Sequence, residues 1–381
     1  MTNLSVDPSH DSAIAPAPPK PATDGPLKVM VISLAGIGDT LLATPLVHEL
    51  RANFPHAQLD ALVLWAGSRD LLDGNPYLNR VFQKNLFKAS KLETLRFLQP
   101  LRKTRYDISL NTHPQSRVHY RLLARLLGAR LRLSHRYECV NVLDRFLVNR
   151  LLPQDYERHS VEQNLDFLAV LGKGQLLPKH ELEIFLSPEE HQWAETFLKS
   201  HALSQRRRLG LHIGSGGTKN LTLKRWPLEH YIDLLGKVRK TWPDLAVLLF
   251  GGPEEEAELN KVRAAHNSPQ VVRVRTDNLR QAAALMQRCS VFLSVDTALM
   301  HLAAAVKVPR QIVIEAPTFN KTNEPYGNGF TLVRNPAVAG HNLDYYRYDG
   351  RGIKGTREEL IRCMASVRPE SVHEALAEAL K

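Results

Sequence analysis

The chain has 381 residues, a formal net charge of +11, and a composition of 43% hydrophobic and 23% charged residues. That length exceeds one ordinary core and predicts two domains of a soluble, globular protein, and no apolar run reaches the roughly 18–20 residues that cross a bilayer. The three cysteines, Cys139, Cys289 and Cys363, lie far apart with no C-x-x-C pair, which argues against a disulfide framework or a structural zinc site and fits a reducing cytoplasm.

Residues 1–26 are rich in Pro, Ala, Ser and Asp and have no positive start followed by an apolar core; they are expected to be a disordered lead and not a secretory signal. A strand over Lys28–Leu34 then runs into Gly36-Ile37-Gly38-Asp39 and a helix over Thr40–Phe54. A dinucleotide fingerprint needs G-x-G-x-x-G, and the third position here is Leu41. Asp39 is either the cap of that helix or a carboxylate facing a cleft. A helix N-terminus keeps such a carboxylate ionised, whereas a general base works best nearer neutrality.

Strands follow over Leu59–Leu64 and Tyr106–Asn111, then a helix over Ser116–Gly128. Residues 101–150 hold eleven Lys or Arg against Asp107, Glu138 and Asp144, a net of +8. This basic stretch calls for an anionic partner, either a phosphorylated substrate or an anionic membrane face; nucleic acid is not expected, because no interleaved aromatics or nucleic-acid motif accompany it. Residues 177–208 are read as a short strand, one helix and a basic turn that close the first domain and join it to the second.

The second strand series comprises Leu209–Ile213, Leu245–Phe250, Val291–Val295 and Arg310–Glu315, alternating with helices over Pro227–Thr241, Pro253–Ala265, Leu279–Cys289 and Thr297–Val306. Alternation of this kind makes parallel sheets covered on both faces, with ligands at the carboxyl ends of the strands. Three stretches stand at such ends. In HIGSGGTKNLTLKRWP (212–227), Gly214, Ser215, Gly216 and Gly217 free backbone N–H groups for an anion, and Lys219, Lys224 and Arg225 add charge. In LLFGGPEEEAEL (248–259), one of Glu254, Glu255 and Glu256 is a candidate for a ribose diol. In FLSVDTALMHLAAA (292–305), Asp296, Thr297 and His301 frame a helix start suited to a pyrophosphate.

These stretches, with VMVISLAGIGDTLLATPLVHELRANFPHAQLDALV and YDISLNTHPQSRVHYRLLARLLGA, resemble the ADP-heptose:lipopolysaccharide heptosyltransferases of glycosyltransferase family 9 over roughly residues 27–320, with the blocks in family order. The resemblance implies a GT-B fold, two Rossmann-like open parallel-sheet domains facing across a cleft. It implies inverting transfer from ADP-heptose to a phosphorylated lipopolysaccharide core, with no cofactor and no catalytic metal, and the chain holds no D-x-D pair. By the resemblance Asp39 is the general base, and Lys224 neutralises the donor pyrophosphate. Ser215, Gly216, Gly217, Thr218, Glu254, Asp296, Thr297, Ala298 and His301 complete the donor side, while Gly36, Gly38, His113, Arg117 and Arg121 belong to the acceptor side. Ala298 and Ala316 stand where the family usually has Gly.

The implied division is an acceptor domain over 27–186, a linker over 187–207, a nucleotide-sugar domain over 208–368, and a closing helix over 369–381 that packs back on the first domain. The place is the cytoplasm, peripheral on the inner membrane. Two alternatives are a nicotinamide-dependent Rossmann oxidoreductase and a non-catalytic nucleotide or anion binder of the same fold.

Overall fold

Short apolar strands alternating with helices build two sheets, each of six parallel strands. The first holds β1 (Lys28–Ser33), β2 (Gln58–Val63), β3 (Arg80–Gln83), β4 (Ile108–Asn111), β5 (Leu131–Arg136) and β6 (Arg150–Pro153). The second holds β7 (Arg208–His212), β8 (Ala246–Phe250), β9 (Val271–Arg273), β10 (Val291–Val295), β11 (Arg310–Ile314) and β12 (Phe330–Val333). The computed structural model describes residues 25–137, 144–216, 221–327, 329–338, 346–347, 352–353 and 355–381. The expected disordered lead, apart from its last two residues, and Cys139, Gly217, Thr218 and Lys219 lie outside the described residues.

The strand orders are β3-β2-β1-β4-β5-β6 and β12-β11-β10-β7-β8-β9, the same Rossmann arrangement twice. In such a sheet the chain leaves in opposite directions on either side of one strand pair, opening a crevice at their carboxyl ends. Those pairs are β1/β4 and β7/β10. Helices cover both faces of the sheets, so the central strands are buried throughout: β8 and β10 are buried at every residue.

One apolar cluster is shared by the two domains. It joins Val31 and Leu110 of the first sheet to Leu248 and Phe292 of the second through Leu198, Leu285 and Leu302. The helix over Pro188–Ser200, expected in a linker, packs on the helix over Leu279–Met286 and belongs to this core. Arg280, on the latter helix and 7% exposed, donates to the carbonyls of Asp73 (2.6 Å) and Asp70 (3.2 Å) and to Glu190, tying the second domain to the first.

Two expectations are corrected. No strand forms between Leu177 and Ser187; that stretch crosses between the domains, with Leu182 buried in the shared cluster. The closing helix, Pro369–Ala379, packs on its own domain, not on the first: Val372 and Leu376 lie with Leu234, Leu235 and Val238 of the helix over Leu228–Thr241.

Candidate active site

The first corner follows β1. A five-residue helix, Ile37–Leu41, starts directly after Gly36, and a second one, Thr44–Asn53, continues after a break. Asp39 is therefore not the cap; it lies in the first turn, where the helix dipole favours its ionised form. The two glycines make room on either side of it. A Cβ on Gly36 would stand 2.7 Å from the Asp39 carboxylate oxygen. A Cβ on Gly38 would stand 2.7 Å from His301 Cδ2 and 3.1 Å from Ala298 Cα, across the domain boundary. The glycines thus seat the carboxylate and let the second domain touch the first.

Around Asp39, Trp65 Nε1 donates to the Ala35 carbonyl at 2.9 Å, and the Gln115 amide oxygen accepts from Leu34 N–H at 3.2 Å. The buried Tyr120 and Tyr137 phenols lie within its field. Burial raises both, and the Asp39 charge adds to the rise, while Arg117 opposes it at Tyr120. Arg117, half-buried at the start of the helix over Val118–Leu127, acts on Tyr120 beside this corner.

The other acceptor-side expectations change. Arg121 is 1% exposed; its Nε donates to Asp144 Oδ1 at 2.6 Å and its Nη groups to the carbonyls of Gln115 and Ser116. It fastens the loop after β4 and is withdrawn from any acceptor. His113 is buried, and its Nδ1 meets Ser160 Oγ at 2.8 Å. Ser160 spends its proton on the Thr322 carbonyl (2.7 Å) in the second domain, so His113 Nδ1 is the donor. His113 therefore braces the domains.

The second corner lies at β7 and β10. Asp296, 5% exposed, receives the Lys224 ammonium (3.2 Å), the Thr318 hydroxyl (2.7 Å) and the Asn323 amide (3.1 Å) on one oxygen. Burial raises its carboxyl, but Lys224, Thr318 and His301 together outweigh burial and hold it below its ordinary value. Thr297 is the N-cap of the helix over Ala298–Ala305 and makes no side-chain cap bond; its hydroxyl meets His212 Nδ1 at 3.2 Å. The amides of that helix start therefore lie beside the Lys224 ammonium, the combination an anionic diphosphate needs.

The glycine loop is held from behind. Ser215 Oγ donates to the Leu221 carbonyl at 2.8 Å, and Arg225 donates to the Ser215 carbonyl and to Glu255, each at 2.8 Å. Gly216 stays exposed. Of the three acids, Glu255 is the one turned inward, capping Gly252 N–H at 2.8 Å; burial raises its carboxyl. Glu254 is exposed on the same turn, and Glu256 pairs with Arg273. The Ala298 methyl lies opposite Gly38, with room because Gly38 has no side chain, and Ala316 is fully buried after β11.

The structure thus unites Asp39, Gly36, Gly38, Ala298 and His301 at one boundary, with Lys224, Asp296 and Thr297 just behind. Sequence reasoning missed Thr318, Asn323, His212, Tyr120 and Ser160. The first two lie in the stretch leaving β11, already aimed at this edge by its strand.

Two expected results arise here. Gly38→Ala should destabilise the fold by about 1–3 kcal/mol, because the methyl meets backbone as well as a ring; thermal unfolding reads it, and an unchanged midpoint contradicts the contact. Acid should weaken the fold early. Burial lowers His135 and His301 to about 4 and His212 to about 3, with His113 and His159 lowered as well. The unfolded chain takes up these protons near pH 6.5, the folded chain only at lower pH, near 4 at His135 and His301 and near 3 at His212. Stability is complete above about pH 6.5 and falls on acidification by roughly 1.4 kcal/mol per pH unit for each such ring. A melting temperature that stays flat from pH 7 to 5 contradicts this.

Two Rossmann-like domains whose switch points face each other define the GT-B class of glycosyltransferases. The model of glycosyltransferase family 9 (heptosyltransferase) matches residues 94–347, and the chain belongs to that family. It is a glycosyltransferase and not a nicotinamide oxidoreductase. Lipooligosaccharide heptosyltransferase 2 of Haemophilus influenzae is 24% identical over 367 residues, covering 92% of this chain and 100% of the relative. Lipopolysaccharide heptosyltransferase 3 of Escherichia coli is 27% identical, covering 71% and 78%. The solved Escherichia coli ADP-heptose heptosyltransferase II shares the fold with a TM-score of 0.69 at 22% identity, covering 93% of this chain and 98% of that one.

Proposed function

We propose that the protein moves a heptose from ADP-heptose to a hydroxyl of a phosphorylated lipopolysaccharide core, inverting the anomeric centre without a metal ion. The observation that carries this reading is the contact of Gly38 with His301 and Ala298, which sets the Asp39 corner against the donor-side helix start. Relatives named as lipopolysaccharide heptosyltransferases support the acceptor class. A related fold solved with ADP-2-deoxy-2-fluoro heptose supports the donor.

In this reading Asp39 takes the proton of the acceptor hydroxyl. The oxygen then forms its bond to the anomeric carbon as the bond to the β-phosphate oxygen breaks, and the electron pair leaves with ADP. Negative charge grows on the diphosphate, where Lys224 and the amides of Ala298 and Leu299 stabilise it in place of a metal ion. Asp296 fixes the Lys224 ammonium in place. Buried His301, about 4 in pKa, stays neutral and fills the boundary without adding charge. In the same reading Glu254 serves the nucleoside, Gly216 the phosphates and Arg117 the acceptor phosphate.

Proton NMR of the disaccharide linkage tests this reading. Inversion relative to the donor, at a rate unchanged by EDTA, is expected; retention, or loss of turnover restored only by a divalent cation, contradicts it.

A further inference from the structure

The basic segment does not form a single strip. Arg121 and Arg132 are buried and bonded within the domain, and Arg117 is half-buried at the start of the helix over Val118–Leu127. Arg102, Arg105 and Arg130 instead gather around a cavity of about 310 Å³ at the opposite, amino-terminal edge of the first sheet, lined also by Tyr106 and Gly128.

That cavity borders an unusual surface. The helices over Lys91–Lys103 and Val118–Leu127 pack side by side on the first sheet, burying Leu98, Leu101, Leu123 and Leu127. Their outward faces, which water would ordinarily make polar, carry Leu92 (56% exposed), Leu95 (59%), Leu122 (45%) and Leu126 (37%), with Phe87 (53%) just before the first helix. The charges around these leucines are almost all positive: residues 84–105 hold seven Lys or Arg (84, 88, 91, 96, 102, 103, 105) against Glu93 alone. Arg102 also donates to the Leu126 carbonyl at 2.8 Å, which joins the cavity to the leucines.

We propose that this paired-helix face is the surface on which the protein rests against an anionic phospholipid bilayer, its leucines entering the headgroup boundary and the arginine cavity receiving lipid phosphate. An apolar centre within a cationic rim is the pattern of interfacial binding. A second copy fits poorly, because two such faces would oppose like charges. Among the described residues no helix is long and apolar enough to span a membrane, so contact is made by a face. The face also leads to the site. Phe87 and His119 rings lie 5.5 Å apart, and His119 and Tyr120 4.4 Å, and Tyr120 senses Asp39. A lipid-borne acceptor would therefore be met beside the acceptor corner. That last step rests on the proposed transferase reading; the surface itself does not.

Flotation of the full chain with vesicles tests it. Binding is expected with phosphatidylglycerol mixed into phosphatidylcholine and not with phosphatidylcholine alone. Leu95→Glu with Leu122→Glu should weaken binding at least about tenfold, and Arg102→Ala or Arg130→Ala about fivefold each, with melting temperatures kept. No flotation of the wild-type protein overturns the proposal. So does equal flotation on both vesicles, or a solution dimer that the leucine variants dissociate. ADP release with a deacylated, soluble core acceptor is measured in parallel. It fails in the wild type if the transferase reading is wrong, and persists without flotation if only the surface is wrong.

Discussion

Asp39→Asn is expected to lower acceptor-dependent ADP release by about 10²–10⁴-fold, the range a positioned general base contributes, while ADP binds as before. Asparagine keeps the size while giving up the negative charge and the ability to take a proton. The carboxylate lies over Gly36, whose missing side chain leaves it space, so the amide fits the same place. Asp39 lies in the first turn of the helix over Ile37–Leu41. In the proposed reading, close positioning at the domain boundary is what lets such a carboxylate act as the base. Steady-state release and ADP titration separate the outcomes. A rate within threefold of wild type would remove Asp39 from the chemistry, whereas a matching loss of ADP affinity would move it to the donor side.

Two replacements of Lys224 should part company. Lys224→Ala strands the Asp296 charge at 5% exposure, and breaking a buried pair from one side costs about 3–5 kcal/mol. The protein is then expected to melt well below wild type or to fail to fold. Lys224→Gln keeps a donor for the Asp296 oxygen while removing the positive charge. It should stay folded and bind ADP about 10–100-fold more weakly, the worth of one charge-assisted bond. Calorimetric titration of ADP reads the second effect and thermal unfolding the first. Wild-type ADP affinity in a folded Lys224→Gln protein would show that the diphosphate lies elsewhere.

How much of this was legible follows from burial. Seven of the eight expected strands form, because each is an apolar run covered on both faces, and the one expected between Leu177 and Ser187 does not. Of the five unexpected strands in the two six-stranded sheets, four, β3, β6, β9 and β12, are the edges. Edge strands are short and polar, as Arg80, Gln83, Arg150 and Arg273 illustrate. The fifth, β5, lies inside its sheet but carries Arg132, Ser134 and His135, polar groups whose burial no periodicity reveals. At the site, residue types at strand ends were readable from the sequence one corner at a time. The pairing of Gly38 with His301 was not, because it depends on how the domains meet. Nor was the withdrawal of Arg121, whose partner Asp144 lies on another element.

The central claim is that one chain brings an acceptor base and a nucleotide-sugar site together for heptosyl transfer. Its most direct measurement is ADP release across a panel of nucleotide sugars, with and without a soluble core acceptor. The account predicts release from ADP-heptose only when the acceptor is present, and little from uridine or guanosine diphosphate sugars. No release from ADP-heptose with acceptor, or release at the same rate without it, would contradict the account.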